Sequence, residues 1–200
     1  MISSQKNITQ ITYSSHFLDY IQKFEESGVR AKDIAEVFSY CKKENASVVE
    51  LGCGGGRDAQ EILQHTDNYI GIDYIPEFIN HAQHLLPTAQ FLLEDLETYT
   101  PPRTTDIIFA FASLLHSDKE SFKNLILRLY NNLSPYGLVR ISLKHADTYT
   151  QVIEKDTFGE RIFYYYNEDD VLKIASQFNI IFMRKETHAG KDWLEILLQK

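Results

Sequence analysis

Short, mostly apolar runs alternate along this chain with stretches in which apolar side chains return every three or four positions. The runs cover residues 47–51, 69–73, 90–93, 106–111 and 138–143. They lack the strict polar alternation of a half-exposed sheet, which suits strands buried on both faces. Between them the helical period is clearest over residues 119–133, where Phe122, Leu125, Ile126, Leu129 and Leu133 share a face and Ser117 or Asp118 can cap the start. Further helices are predicted around Ile34, Val37 and Phe38, around Phe78, Ile79, Ala82, Leu85 and Leu86, and around Val171, Leu172, Ala175 and Phe178. Phe17, Leu18, Ile21 and Phe24 mark one more before the first strand. Buried strands alternating with helices predict a doubly wound α/β fold with a mostly parallel sheet, whose ligands meet the carboxyl ends of the strands near the change in strand order. Near the end the pattern changes: runs at 180–185 and 193–198 are joined by Glu186-Thr187-His188-Ala189-Gly190-Lys191-Asp192, too short for a crossover helix. An antiparallel hairpin at one edge is expected there.

Composition bears more on partners than on fold. A chain of 200 residues can bury one core without disulfides or a structural metal, and no repeat or linker divides it. One domain over residues 1–200 is expected, with 1–45 as an N-terminal helical cap segment. A net charge of −8, with no basic run longer than Lys42-Lys43, opposes a nucleic-acid partner and favours a small molecule. Met1-Ile2-Ser3-Ser4-Gln5-Lys6 lacks the apolar core of a signal peptide, and no stretch reaches the length of a membrane span. Cys41 and Cys53 make no disulfide framework. A soluble, cytoplasmic protein is expected.

The segment richest in chemistry is Glu50-Leu51-Gly52-Cys53-Gly54-Gly55-Gly56, which closes the first strand and leads to a helix expected near Arg57. Alternate glycines let the backbone turn tightly and approach a ligand with no Cβ in the way. Two ligands stay open at this point. Gly54-Gly55-Gly56-Arg57-Asp58-Ala59 also reads as the G-x-G-x-x-A of a dinucleotide site, with Asp73 near where a ribose-binding acid belongs. Against that reading, no Tyr is followed by Lys four positions on, as in short-chain dehydrogenases, and no second domain is expected to hold a hydride acceptor.

Read from the strand, Glu50-x-Gly52-x-Gly54-x-Gly56 resembles the first motif of the class I S-adenosylmethionine-dependent methyltransferases, and the resemblance continues through nearly the whole chain. Ile72-Asp73-Tyr74 is similar to the second motif, which implies that Asp73 accepts hydrogen bonds from both ribose hydroxyls. Glu94-Asp95-Leu96 is similar to the segment after the third strand, implying Asp95 on the adenine amino group and the Leu96 backbone on the ring. Asp106-Ile107-Ile108-Phe109-Ala110-Phe111-Ala112-Ser113-Leu114-Leu115-His116 looks like the fourth strand and its active-site loop, and Leu133-Ser134-Pro135-Tyr136-Gly137 like the turn into the fifth. Arg161-Ile162-Phe163-Tyr164-Tyr165-Tyr166 and the late Trp193-Leu194 resemble a subgroup of small bacterial single-domain members. Glu50 stands where Asp is at least as usual, and Tyr136 replaces the first glycine of a common Pro-Gly-Gly turn.

The resemblance implies a Rossmann-like, seven-stranded, mostly parallel sheet with a C-terminal antiparallel hairpin. It implies S-adenosylmethionine held by Glu50, Gly52, Cys53, Gly54, Gly56, Arg57, Asp73, Tyr74, Asp95, Leu96 and Phe111. The expected activity is methyl transfer to a small-molecule oxygen, nitrogen or sulfur, leaving S-adenosylhomocysteine. The alternatives are an NAD(P)-dependent oxidoreductase and a non-catalytic S-adenosylmethionine-binding module. Arg57 is read either as a partner of the cofactor's carboxylate or as a surface salt bridge. His116 is the candidate base, because an unperturbed imidazole suits proton transfer near neutrality, or a loop histidine that only shapes the pocket. Tyr13, Tyr20 and residues 161–166 are read as a lid or as packing. His81 and His84 share a helix face without further ligands, so no metal is expected. Glu168-Asp169-Asp170 reads as the acidic first turn of a helix.

Overall fold

The computed structural model describes residues 4–188 and 190–200. Met1, Ile2 and Ser3 of the expected non-signal N-terminus, and Ala189 of the expected hairpin turn, lie outside the described residues. In chain order the elements are α1 (Ser4–Ser15), α2 (Phe17–Glu26), α3 (Ala31–Tyr40), β1 (Val48–Leu51), α4 (Ala59–Ile62), β2 (Tyr69–Asp73), α5 (Pro76–Leu85), β3 (Gln90–Leu93), β4 (Thr105–Phe111), α6 (Lys119–Asn132), β5 (Leu133–Lys144), β6 (Thr150–Asp156), β7 (Gly159–Tyr165), α7 (Glu168–Ile174), β8 (Asn179–His188) and β9 (Lys191–Gln199).

The main sheet has seven strands in the order β3-β2-β1-β4-β5-β9-β8. The first four pairings are parallel, and β9 runs antiparallel to both β5 and β8. Every residue of β1 and β4 is buried, which is why their sequences run apolar without alternation. These two strands flank the change in strand order, so a ligand crevice is expected above their carboxyl ends. One face of the sheet packs Ile108, Val139 and Ile141 against Phe122, Leu125 and Leu129 of α6. The other packs Val48, Ile107 and Phe109 against Ile34 and Val37 of α3. Asp118 caps α6 by accepting from the Ser121 amide at 2.8 Å, and Asn167 caps α7 by accepting from Asp170 at 2.8 Å. Among the described residues no helix is long and apolar enough to cross a membrane.

Three local features depart from the sequence pattern. The helix expected near Arg57 is the single turn α4, because Asp58 spends its carboxylate on arginines instead of a cap and Gln64 and His65 close it with tighter bonds, to Glu61 and Ile62. Residues 150–165 form a two-stranded sheet, β6 with β7, that the polar run at its start hides from a search for buried strands. Of the expected helical cap, α3 belongs to the sheet layer, whereas Tyr20 and Ile21 of α2 pack with Ile75 and Phe78, and α1 lies against β7.

Candidate functional site

A cavity of about 820 Å³ opens at the carboxyl ends of β1, β2, β4 and β5, within the usual size range for small-molecule sites. Glu50, Gly52, Cys53, Gly54, Arg57, Asp73, Tyr74, Asp95, Leu96, Phe111 and His116 all line it. Gly56 lies beneath, buried against Ala82.

On one side the chain turns after β1 with Gly52 at φ 76° and Gly54 at φ 53°, both left-handed conformations that favour glycine. A Cβ on Gly52 would stand 2.4 Å from the Ser113 Cβ, while one on Gly54 would meet nothing within 4 Å. The first glycine therefore allows strand β1 to close on the β4 loop, and the second leaves bare backbone against open space. The Gly54 amide donates to Asp73 Oδ2 at 3.0 Å, and the Ile75 amide to Oδ1 at 2.9 Å. Burial pushes Asp73 up to about 6 even though these backbone donors pull the other way. With the Tyr74 amide as a third backbone donor, the carboxylate keeps one of its four acceptor directions. Beyond β3, the Asp95 carboxylate accepts from the Glu97 amide at 3.0 Å and its carbonyl from Tyr99 at 2.8 Å, which fixes the turn that also carries Leu96.

Two residues read from the sequence as cofactor contacts are committed within the protein. Glu50 is buried and accepts from the Tyr69 hydroxyl at 2.5 Å, and burial, with the charge of Asp58 added, drives its carboxyl well above the ordinary range. Arg57 donates from Nε and Nη2 to Asp58, at 3.1 and 2.5 Å, and from Nη1 to the Phe24 carbonyl at 3.0 Å. Arg30 reaches the same Asp58 carboxylate at 2.7 Å. The salt-bridge reading of Arg57 therefore describes the structure, with the difference that the pair is largely buried. Two guanidiniums on one carboxylate leave this wall of the cavity net positive. Phe111 lies under it, with the Arg30 guanidinium 5.1 Å from its ring centre, and burial pushes the Cys53 thiol well up.

The opposite side is assembled from distant segments. Ala112 takes φ 52°, a strained conformation for a residue with a Cβ, and turns Ser113 over the glycine loop. His116 places Nδ1 2.6 Å from the Ile162 carbonyl, which only accepts, so Nδ1 carries the proton. Nε2 then accepts from the Tyr13 hydroxyl at 3.1 Å, and that hydroxyl accepts from Arg161 Nη1 at 3.2 Å. Burial pushes His116 down to about 4, with the charges of Arg161 and Lys144 adding to it. This corrects the expectation of an imidazole titrating near neutrality: His116 is neutral, and its one lone pair is taken.

Arg161 is buried, with Nη2 on Asp156 at 2.7 Å and the guanidinium packed against the rings of Tyr13, Tyr20 and Phe163. Its Nε, like Ser113 Oγ, is buried with no hydrogen-bond partner among the described residues. Lys144 ends β5 in a buried position, donates to Glu154, and sits 3.6 Å from the centre of the Phe163 ring. Burial brings it down to about 8, against the pull of Glu154. Burial would raise Glu154, but Lys144, Lys191 and the Tyr165 hydroxyl outweigh it and hold the carboxylate down to about 2. Tyr13 faces the cavity, whereas Tyr20 is fully buried behind it, so the expected lid divides into one wall residue and one packing residue.

His81 bonds the Gly55 carbonyl at 3.1 Å and His84 the Asn80 carbonyl at 2.6 Å. Among the described residues, no three His, Cys, Asp or Glu side chains gather as metal ligands would. Sequence reasoning missed Arg30, Ser113, Lys144 and Glu154 as wall residues. A signal existed only for Lys144, a charge closing a buried run at the carboxyl end of a parallel strand.

The model of a family described as a methyltransferase domain matches residues 48–137. Malonyl-[acyl-carrier protein] O-methyltransferase 1 of Ilyobacter polytropus is 29% identical over 156 residues, which cover 73% of this chain and 52% of that protein. Trans-aconitate 2-methyltransferase of Escherichia fergusonii is 32% identical over 120 residues, covering 57% of this chain and 46% of the relative. The chain thus spans about half the length of these curated relatives. Among solved structures, the 1,6-didemethyltoxoflavin-N1-methyltransferase of Burkholderia thailandensis, crystallised with 1,6-didemethyltoxoflavin and S-adenosylhomocysteine, aligns over 94% of this chain and 87% of that one with a TM-score of 0.72. At 18% identity that likeness is one of fold.

Proposed function

We propose that the chain, whose residues 48–137 match the model of a methyltransferase domain, is a class I S-adenosylmethionine-dependent methyltransferase that methylates a carboxylate oxygen of a small organic acid. S-adenosylmethionine, when bound, supplies a methyl group on a positively charged sulfur, and its transfer to an ionised oxygen moves no proton. In this reading the bare backbone at Gly54 and the remaining acceptor direction of Asp73 hold the ribose, and the turn of Asp95 and Leu96 holds the adenine. The net positive wall of Arg30, Arg57 and Asp58 meets the amino-acid carboxylate, a role the sequence suggested for Arg57 alone.

The observation that carries the acceptor assignment is Arg161, a buried guanidinium in the cavity wall whose Nε–H has no partner among the described residues. A buried donor left unmade costs about 1–3 kcal/mol, which an acceptor carboxylate would relieve. His116, at about 4, Glu154, at about 2, and the Tyr13 phenol, raised by burial, are poor proton acceptors, and Lys144, at about 8, is mostly protonated near neutrality. An amine or phenol acceptor would need its proton removed there, whereas a carboxylate arrives without one. Both curated relatives are named for acceptors that carry a carboxyl group.

The test is incubation with methyl-labelled S-adenosylmethionine and a panel of small acids, amines and phenols. Label in base-labile methyl esters of one or more acids is expected. Label confined to amines or phenols would overturn the assignment.

A further inference from the structure

The wall that holds Arg161 contains a second cationic place, already filled by the protein itself. Lys144 is 5% exposed and its ammonium is met by Glu154, by Tyr165 at 3.5 Å and by the face of Phe163. Lys191, at the start of β9, donates to the other oxygen of Glu154 at 2.6 Å. The main sheet thus supplies two ammoniums, and their counter-charge comes from a different element, the β6–β7 hairpin. Glu154 stands directly opposite Arg161 in that hairpin, so both side chains leave the same face, from Cα atoms about 5 Å apart. All four residues line the one cavity.

We propose that Glu154 is a specificity-determining residue: it occupies, between Lys144 and Lys191, the place a second acceptor carboxylate would take, and so restricts the enzyme to acids with a single carboxylate near Arg161. The inference rests on the carboxylate reading of the acceptor. An incoming second carboxylate would have to displace one held by two ammoniums and a phenol, and beside an undisplaced Glu154 it would meet like charge. Removing the charge of Glu154 leaves the two lysines without a counter-ion, in a position to take a carboxylate from the ligand.

The experiment compares a straight-chain monocarboxylate with the α,ω-dicarboxylate of equal length, by calorimetric binding to the enzyme loaded with S-adenosylhomocysteine and by methyl-ester formation. In Glu154→Gln, the dicarboxylate-to-monocarboxylate affinity ratio should rise about tenfold or more, and Lys191→Gln in the same background should reverse the gain. Glu154→Asp, which keeps the charge and withdraws it by one methylene, should give a smaller rise and serves if the amide variant does not fold. A ratio within twofold of wild type in the variants, with acids still esterified, would overturn the role of Glu154 alone. A raised ratio without ester formation by any variant would keep the anion place and overturn the acceptor assignment. No binding of either acid to any of these proteins would overturn both.

Discussion

The two sides of the cavity are built differently. On the side proposed for the cofactor the chain meets itself over short separations: Gly54 bonds Asp73, Glu50 bonds Tyr69, and Asp95 closes a turn on Glu97 and Tyr99. On the acceptor side Tyr13 meets His116 and Arg161, and Lys144 and Lys191 meet Glu154 from two other strands. The first side, apart from the Glu50–Tyr69 bond and the Arg30–Arg57–Asp58 cluster, is backbone geometry and can be read from spacing. The second is charge and hydrogen bonding between elements that only the fold brings together. The cofactor side should therefore fail through conformation and the acceptor side through chemistry.

The largest effect is expected on the cofactor side. Gly52→Ala adds a Cβ 2.4 Å from the Ser113 Cβ at a φ of 76°, so stability should fall by about 2–5 kcal/mol in denaturant unfolding, with S-adenosylhomocysteine binding lost alongside. On the acceptor side, Arg161→Gln should lower kcat/KM for the acid roughly 10- to 100-fold while S-adenosylhomocysteine affinity, read by calorimetry, stays within about twofold. A parallel loss of cofactor affinity would dissolve the distinction between the two sides. Asp73→Asn should weaken S-adenosylhomocysteine by about tenfold. In the unaltered protein the same carboxylate, raised to about 6, accepts from the ribose most strongly when ionised. Affinity should hold above pH 6 and fall as the pH drops through it, approaching tenfold per unit. The smallest effect is expected at His116, already neutral and capped by Tyr13. His116→Gln should slow single-turnover methyl transfer by less than about threefold, where loss of a true base would cost about 10²- to 10⁴-fold.

The same contrast explains what the sequence made legible. The strands β1 to β5, the terminal hairpin and the helix α6 announce themselves because burial on one or two faces imposes a period on the residues. Gly52, Gly54 and Asp73 announce themselves because a tight turn and a strand end recur at fixed spacing. The β6 strand of the hairpin is polar and half-exposed, so nothing local marked Glu154 as a wall residue, and the buried run 161–164 of β7 did not set Arg161 apart from its aromatic neighbours. Ala112 carries no preference for the left-handed conformation it adopts, and the position of Ser113 was hidden with it. His116 was found from its place after β4. Its basicity was misjudged because the burial that lowers it, with the charges of Arg161 and Lys144 added, is supplied from elsewhere in the chain.

The central claim is that the acceptor side binds an ionised oxygen and takes no proton from it. The most direct measurement is the pH profile of single-turnover methyl transfer with saturating S-adenosylmethionine and the best acid acceptor, run beside His116→Gln. A rate level between about pH 6 and 7 in both proteins is predicted, since His116 has lost its proton far below this range and Lys144, at about 8, keeps its own across it. A wild-type rate that climbs across this range through a group near neutrality, with the climb abolished in His116→Gln, would contradict the account.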